Sequence, residues 1–240
     1  MSARRRFEQL RITPGAFAII ATEIAFSLIW LLSDPGVRAS IVEYSVASKS
    51  NVFEHGRVWT LVTSSFLEMR FVGLLLHALM MWMFVPTLER FWGTARFYRF
   101  FAITSVVGTL AGVSLGWVLG RDVPISGIDP FIYAAIVAFG VIYARQPVQF
   151  FGVLPLTGRQ LMWGLIAVQV LFVVLQQAWE LGAALGAAMI VAAIMTSKRW
   201  SPGLAWKRWR LARARSKLSI IDGGKKPPRG TGKDEHKWLN

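Results

Sequence analysis

Residues 59–97 read WTLVTSSFLEMRFVGLLLHALMMWMFVPTLERFWGTARF, and this stretch decides the fold. From Phe71 to Leu88 the only strongly polar side chain is His77. Apolar residues occupy the whole circumference, so neither a one-sided helix stripe nor strand alternation is present. A run of roughly 20 such residues is the length a bilayer core asks of a helix. Trp59 and Trp92 bracket it, as aromatic rings favour both membrane interfaces, and Glu89, Arg90, Arg96 and Arg99 mark a charged exit. An imidazole at mid-depth of a membrane helix is a functional-site hypothesis by default.

The residues around this span resemble the second transmembrane helix and its flanks in the rhomboid family of intramembrane serine proteases. Members of that family read approximately W-R-x-x-T-x-x-F-x-H, then H-x-x-x-N, then G-P-x-x-E-x-x-x-G-x-x-R-F. Without gaps the chain supplies Trp59, Thr63, Phe66, Pro86, Glu89, Gly93, Arg96 and Phe97 at scaffold positions. The polar positions differ: Thr60 stands for the arginine, Glu68 for the first histidine, Gly73 for the oxyanion-hole histidine and His77 for the oxyanion-hole asparagine. The scaffold is kept and the chemistry is changed.

Composition agrees with a polytopic membrane protein. Of 240 residues 54% are hydrophobic, with 11 Trp and 16 Phe, and the apolar residues cluster in long runs. The formal net charge of +14 belongs to the ends. Residues 1–12 carry four Arg against one Glu, and the tail from Lys198 carries thirteen Lys or Arg against three acids, which leaves +1 for everything between. The absence of cysteine excludes disulfides, thiol catalysis and thiolate metal sites. Arg4, Arg5 and Arg6 precede an apolar run without a small-residue cleavage site, so a retained first helix is expected.

Six spans are expected. The first, Pro14 to Leu32, holds one charge, Glu23, which should face the bundle and hydrogen-bond a neighbouring helix. Residues 34–58 form a long connection, and the rhomboid resemblance implies short interfacial helices within it. The third span runs from about Phe97 to Leu119 with Gly108, Gly112 and Gly116 on one face for close helix packing. The fourth runs from Asp129, an acid at the N-cap followed by Pro130, to about Ala144. Residues 148–158 read as a loop, the fifth span as about Leu161 to Leu175, and the sixth as Trp179 to Thr196 with Gly182 and Gly186 as a second close-packing pair. Placing both termini inside puts 22 of the 27 Lys and Arg on the inner side. The expected fold is thus an all-α, six-transmembrane-helix, rhomboid-like bundle in the plasma (inner) membrane. It divides into a basic cytoplasmic arm (1–12), a membrane domain (13–197) and a basic cytoplasmic tail (198–240).

In that tail Trp206, Trp209 and Leu211 lie among Lys207, Arg208, Arg210, Arg213, Arg215 and Lys217, a mixture suited to an interfacial helix on anionic lipid. Lipid is preferred to nucleic acid as the partner because the tail leaves a membrane helix on the inner side.

Rhomboid catalysis pairs a serine at the start of the fourth helix, within G-x-S-G, with a histidine on the sixth. Here the stretch reads GIDPFIYAA; Tyr133 takes the aromatic position, which puts Asp129 at the serine, with Gly127 two residues before it. A second register uses Ser126-Gly127 and leaves Pro130 where the aromatic belongs. Gly182 and Gly186 fit the spacing after the family's histidine and put Trp179 there, or Glu180 after a one-residue slip. The chain's histidines are His55, His77 and His236, none of them on the sixth span. No catalytic residue, cofactor or metal is expected. The resemblance places His77 and Asp129 across one cavity, as a satisfied hydrogen bond first, with proton handling or a metal site including Glu180 as the other options. The leading reading is a rhomboid-like pseudoprotease that binds the transmembrane segments of client proteins beside the fifth helix. Its rivals are an active protease using Ser126 with an unrecognised base, and a small transporter or channel using Glu23, His77 and Asp129.

Overall fold

Pro14 fixes the first backbone turn of helix α1 (Pro14–Leu32), and the extended Ser33-Asp34 pair ahead of Pro35 ends it. The computed structural model describes residues 12–150, 154–197 and Arg213. The chain divides into two compact units, Met1–Ser201 and Pro202–Asn240. The N-terminal arm up to residue 11 and the aromatic–basic run of the tail, Arg213 apart, lie outside the described residues.

After α1 come α2 (Pro35–Ser45), a π-turn at Ser50–Glu54, the short α3 (Thr60–Thr63) with a tight turn at Ser64–Phe66, and the long α4 (Phe71–Trp92). Short helices therefore occupy the first connection. Arg57 braces it, bonding the Glu43 carbonyl at 2.9 Å and the Glu43 carboxylate at 3.0 Å while its guanidinium lies over Tyr44. Trp59 donates to the Tyr44 carbonyl at 3.0 Å and Thr63 to the Ser45 carbonyl at 2.9 Å, so both motif residues fasten α2 to α3.

Gly93, at φ +78°, turns α4 directly into α5 (Thr94–Val118), and Arg96 stacks over Trp92 at that corner. Then follow α6 (Asp129–Ile142), α7 (Gly158–Gln176) and α8 (Trp179–Thr196). Among the described residues five helices, α1, α4, α5, α7 and α8, are long and apolar enough to cross a bilayer. The sixth, α6, has 14 residues, about 21 Å against a hydrocarbon core of about 30 Å. It ends at Ile142, two residues before the expected stop, where Tyr143 to Gln146 turn ahead of Pro147. Expected as a loop, residues 148–158 instead contribute to an antiparallel hairpin, β1 (Pro147–Phe150) with β2 (Leu154–Thr157). Thr157 then caps α7 reciprocally with Gln160, starting that helix three residues earlier than hydropathy alone predicts.

The core forms around α6, whose residues Pro130 to Gly140 are nearly all buried. Phe131 packs its ring against Phe97, Phe100 and Phe101 at 4.9–6.1 Å between centroids. The glycine face of α5 performs as its spacing predicts. A Cβ on Gly108 would come 2.9 Å from the Ala184 carbonyl, and one on Gly112 would come 2.7 Å from the Glu180 carbonyl. Helices α5 and α8 thus pack backbone to backbone. On α8 the expected pair divides. Gly182 lies against Val173 of α7, whereas Gly186 faces open space and makes no close approach. Outward-facing Phe17, Val72, Phe172 and Ile190 are more than half exposed, the exterior of a bundle solvated by lipid tails.

Glu89 explains its place in the motif. Buried near the end of α4, its carboxylate accepts from the backbone N–H groups of Gly15 at 3.0 Å and Ala16 at 2.7 Å. It also accepts from the hydroxyls of Thr94, at 2.8 Å, and Thr13. One helix therefore caps the N-terminus of another, placing a negative charge at the positive end of the α1 dipole.

Candidate functional site

The two buried polar residues of α1, Glu23 and Ser27, are one turn apart and face inward with Ala16, Ile19 and Ile20. Ser27 holds the turn before α4. Its hydroxyl accepts from the Glu68 backbone N–H at 2.9 Å and donates to the Phe66 carbonyl at 3.4 Å. Glu68 is thereby folded back under the first turn of α4, where Arg70 binds its Oε1 through Nε at 3.2 Å and its backbone N–H at 3.0 Å. Gly73 is what makes room. A Cβ there would sit 2.6 Å from that same oxygen.

The imidazole of His77 is the centre of the arrangement. Its Nδ1 lies 2.7 Å from Glu23 Oε1 and its Nε2 lies 3.1 Å from Asp129 Oδ1. Glu68 Oε2 is 4.0 Å from Nδ1. Glu23, Glu68 and His77 are buried, and Asp129 is partly open. Gly127 closes the ring of groups. At φ +93° it adopts a backbone conformation that favours glycine, and a Cβ on it would lie 3.0 Å from Glu68 Oε2 and 3.3 Å from His77 Cε1. Its N–H is anchored on the Ser64 carbonyl at 2.9 Å, which holds the loop ahead of α6 against the turn ahead of α4.

His77 and Asp129, expected to face one another, are thus in direct contact. The expected capping role of Asp129 is not: it is the first residue of α6, Ile128 takes the cap position, and no side-chain cap bond forms there. The carboxylate turns to the imidazole instead, because that bond satisfies a charged group the helix N-terminus leaves open. Glu23, read as an inward residue awaiting a partner, supplies the second bond. Glu180 does not join them. It is buried at the start of α8 with Arg121 3.7 Å away, so a metal site combining Glu180 with His77 and Asp129 does not form. Trp179 stands 46% exposed beside it and makes none of the cluster's contacts. Ser126 makes none of them either, and both imidazole nitrogens are engaged by carboxylates.

Two members of the cluster, His77 and Asp129, line a cavity of about 320 Å³ between α4, α6 and α7. Arg70 lies at its edge, its floor includes His77 and Asp129, and Phe172 and Leu165 line the α7 side. Tyr133 crosses it to donate to Gln169 Oε1 at 2.7 Å, joining α6 to α7. Sequence reading missed Glu68 as a member of this site; the proximity of Gly73, five residues on, was the available signal. The model of a family described as eukaryotic integral membrane protein (DUF1751) matches residues 17–200. No curated protein matches the chain.

Proposed function

Since the chain belongs to that integral membrane family, we propose that it is a rhomboid-like membrane protein that binds transmembrane segments of other proteins without cleaving them. The observation that carries this reading is the ring of carboxylates about His77. Acyl transfer needs an activated nucleophile and donors aimed at the developing oxyanion. Here the one intramembrane imidazole holds Glu23 and Asp129 rather than a hydroxyl, and Glu68 lies against Gly73, where a donor would be required. A negative charge developing beside three carboxylates would be repelled.

What remains is a mostly apolar cavity beside α7, with polar groups Tyr133, Gln169 and Arg70 on its walls. That suits a helix carrying one or two polar side chains, recognised by packing and a few hydrogen bonds. In this account α6 stands as a sixth, short span and both termini are cytoplasmic, with the basic tail held on anionic lipid at about 1 kcal/mol per basic residue near the surface. The test is photocrosslinking in native membranes from Val168 or Phe172. Crosslinks to intact single-span proteins, reduced when Gln169 and Tyr133 are replaced by Leu and Phe, are the expected result. Crosslinks to lipid alone would overturn the reading.

A further inference from the structure

Three carboxylates converge on one imidazole, and one arginine answers them. Counting Glu23, Glu68 and Asp129 against Arg70, the site carries two uncompensated negative charges when His77 is neutral. Protonating His77 removes one and leaves the other. In a membrane interior each unbalanced charge costs several kcal/mol. Protons on both His77 and the buried Glu23 bring the sum to zero, and so does a divalent cation with the imidazole neutral and every carboxylate ionised.

The hydrogen bonds point the same way. With Nδ1 held by Glu23 at 2.7 Å, Nε2 faces Asp129 Oδ1 at 3.1 Å, a contact that either a second ring proton or a metal ion on that nitrogen satisfies. A carboxylate holding the far nitrogen of a histidine is the usual orientation device for a metal-bound imidazole. On Glu68, the side chain and backbone N–H of Arg70 occupy Oε1, while Oε2 lies 4.0 Å from the imidazole at Nδ1, the nitrogen that Glu23 holds. Donor atoms of Glu68, His77 and Asp129 already lie within 4.8 Å of one another, compared with about 3.4 Å for the edge of a tetrahedron with bonds of about 2.1 Å. A separate observation concerns Glu23. It is 0% exposed, its Oε1 bonds the imidazole, and its Oε2 has no hydrogen-bond partner among the described residues.

We propose that Glu68, His77 and Asp129 bind a divalent transition-metal ion, zinc by the character of the nitrogen–oxygen donor set, with Glu23 orienting the imidazole from behind. The ion ties α4 to the turn before it and to the start of α6, and through Glu23 to α1. The inference concerns the cluster alone and holds whether or not the cavity receives a client helix.

The full chain, purified without chelator and free of any affinity tag, should contain about one zinc per chain by elemental analysis. Stripped protein titrated with Co²⁺ should develop the visible absorption of a tetrahedral nitrogen–oxygen site. E68Q and D129N should each abolish that absorption while remaining monodisperse, and E23Q should weaken binding about 10–100-fold, as loss of an orienting carboxylate does. A variant with His55 and His236 both changed to Ala should bind as the wild type does. Substoichiometric metal with no cobalt spectrum in the wild type would overturn the proposal. So would a spectrum retained in both E68Q and D129N, or one lost with His55 and His236. Client crosslinking that persists in E68Q would leave the binding function standing and locate the failure in the metal site.

Discussion

Glu89→Gln isolates the device that joins α1 to the end of α4. Four donors converge on this carboxylate: two backbone N–H groups, of Gly15 and Ala16, and two hydroxyls, of Thr13 and Thr94. A glutamine of the same shape keeps one acceptor oxygen and presents its amide nitrogen to the other donors, so about two charge-assisted bonds are lost. At about 1.5–3 kcal/mol each, the cost is ~3–6 kcal/mol, a large share of a stability of about 5–15 kcal/mol. The buried N–H groups have no water to turn to, which places the effect in the upper part of that range. Thr94→Ala removes one donor and leaves the carboxylate satisfied by the rest, so it should cost only ~0.5–1.5 kcal/mol. Reversible unfolding in mixed detergent–SDS micelles, followed by far-ultraviolet circular dichroism, measures both. A Glu89→Gln protein within about 1 kcal/mol of wild type would refute the capping account, as would a larger loss in Thr94→Ala than in Glu89→Gln.

The remaining expectations concern packing, pH and chemistry. Gly112→Val should destabilise by ~1–3 kcal/mol or more, since even its Cβ would lie 2.4 Å from Ile125 and 2.7 Å from the Glu180 carbonyl. Gly186→Ala, facing open space, should stay within about 0.5 kcal/mol in the same assay. Asp122 is exposed; the slight desolvation of its carboxyl pushes its pKa up, but the hydroxyl and N–H of Ser50 hold it below the usual carboxylate value. A depressed folded pKa stabilises above the unfolded value of about 4 and loses that contribution as pH falls through the folded one. Acidification below about pH 4 should therefore raise exchange-corrected amide deuteration at Ser50, and Asp122→Asn should do so at neutral pH; equal protection at both pH values contradicts it. Asp129→Ser combined with Trp179→His restores two catalytic residue types but should not restore cleavage of transmembrane substrates, because Glu68, Gly73 and Glu23 are unchanged. Turnover by that double variant would show that the site was never dismantled.

Much of this arrangement is readable from the chain, for reasons that differ by element. The span expected at about Trp179 to Thr196 was legible because an apolar run ends at the basic Lys198 and Arg199. The face of Gly108, Gly112 and Gly116 was legible because three small residues four apart line one side of a lipid-solvated helix and let a neighbour approach closely. Only gap-free alignment to a family motif put His77 opposite Asp129, 52 positions away. Glu68 was hidden by the same alignment, which presented it as a replaced histidine in a flank rather than as a side chain folded back onto α4. Asp129 misled in the other way: its place before Pro130 is a strong cap signal, and a buried imidazole offered it a better partner. The hairpin of β1 and β2 escaped because its strands are four residues long and contain Pro147 and Pro155, which argue against strand. Gly186 shows the limit of small-residue spacing, since Gly182 four residues earlier meets Val173 while Gly186 meets nothing.

Labelling with a fluorophosphonate, read by intact-protein mass spectrometry in proteoliposomes alongside cleavage of a transmembrane substrate, tests the central claim most directly. The carboxylate ring around His77 leaves no activated serine, so the wild-type mass should be unchanged, the substrate should remain whole, and Ser126→Ala should behave identically. A mass increase of one phosphonyl group with substrate fragments, both lost in Ser126→Ala, would contradict the account and identify a working protease.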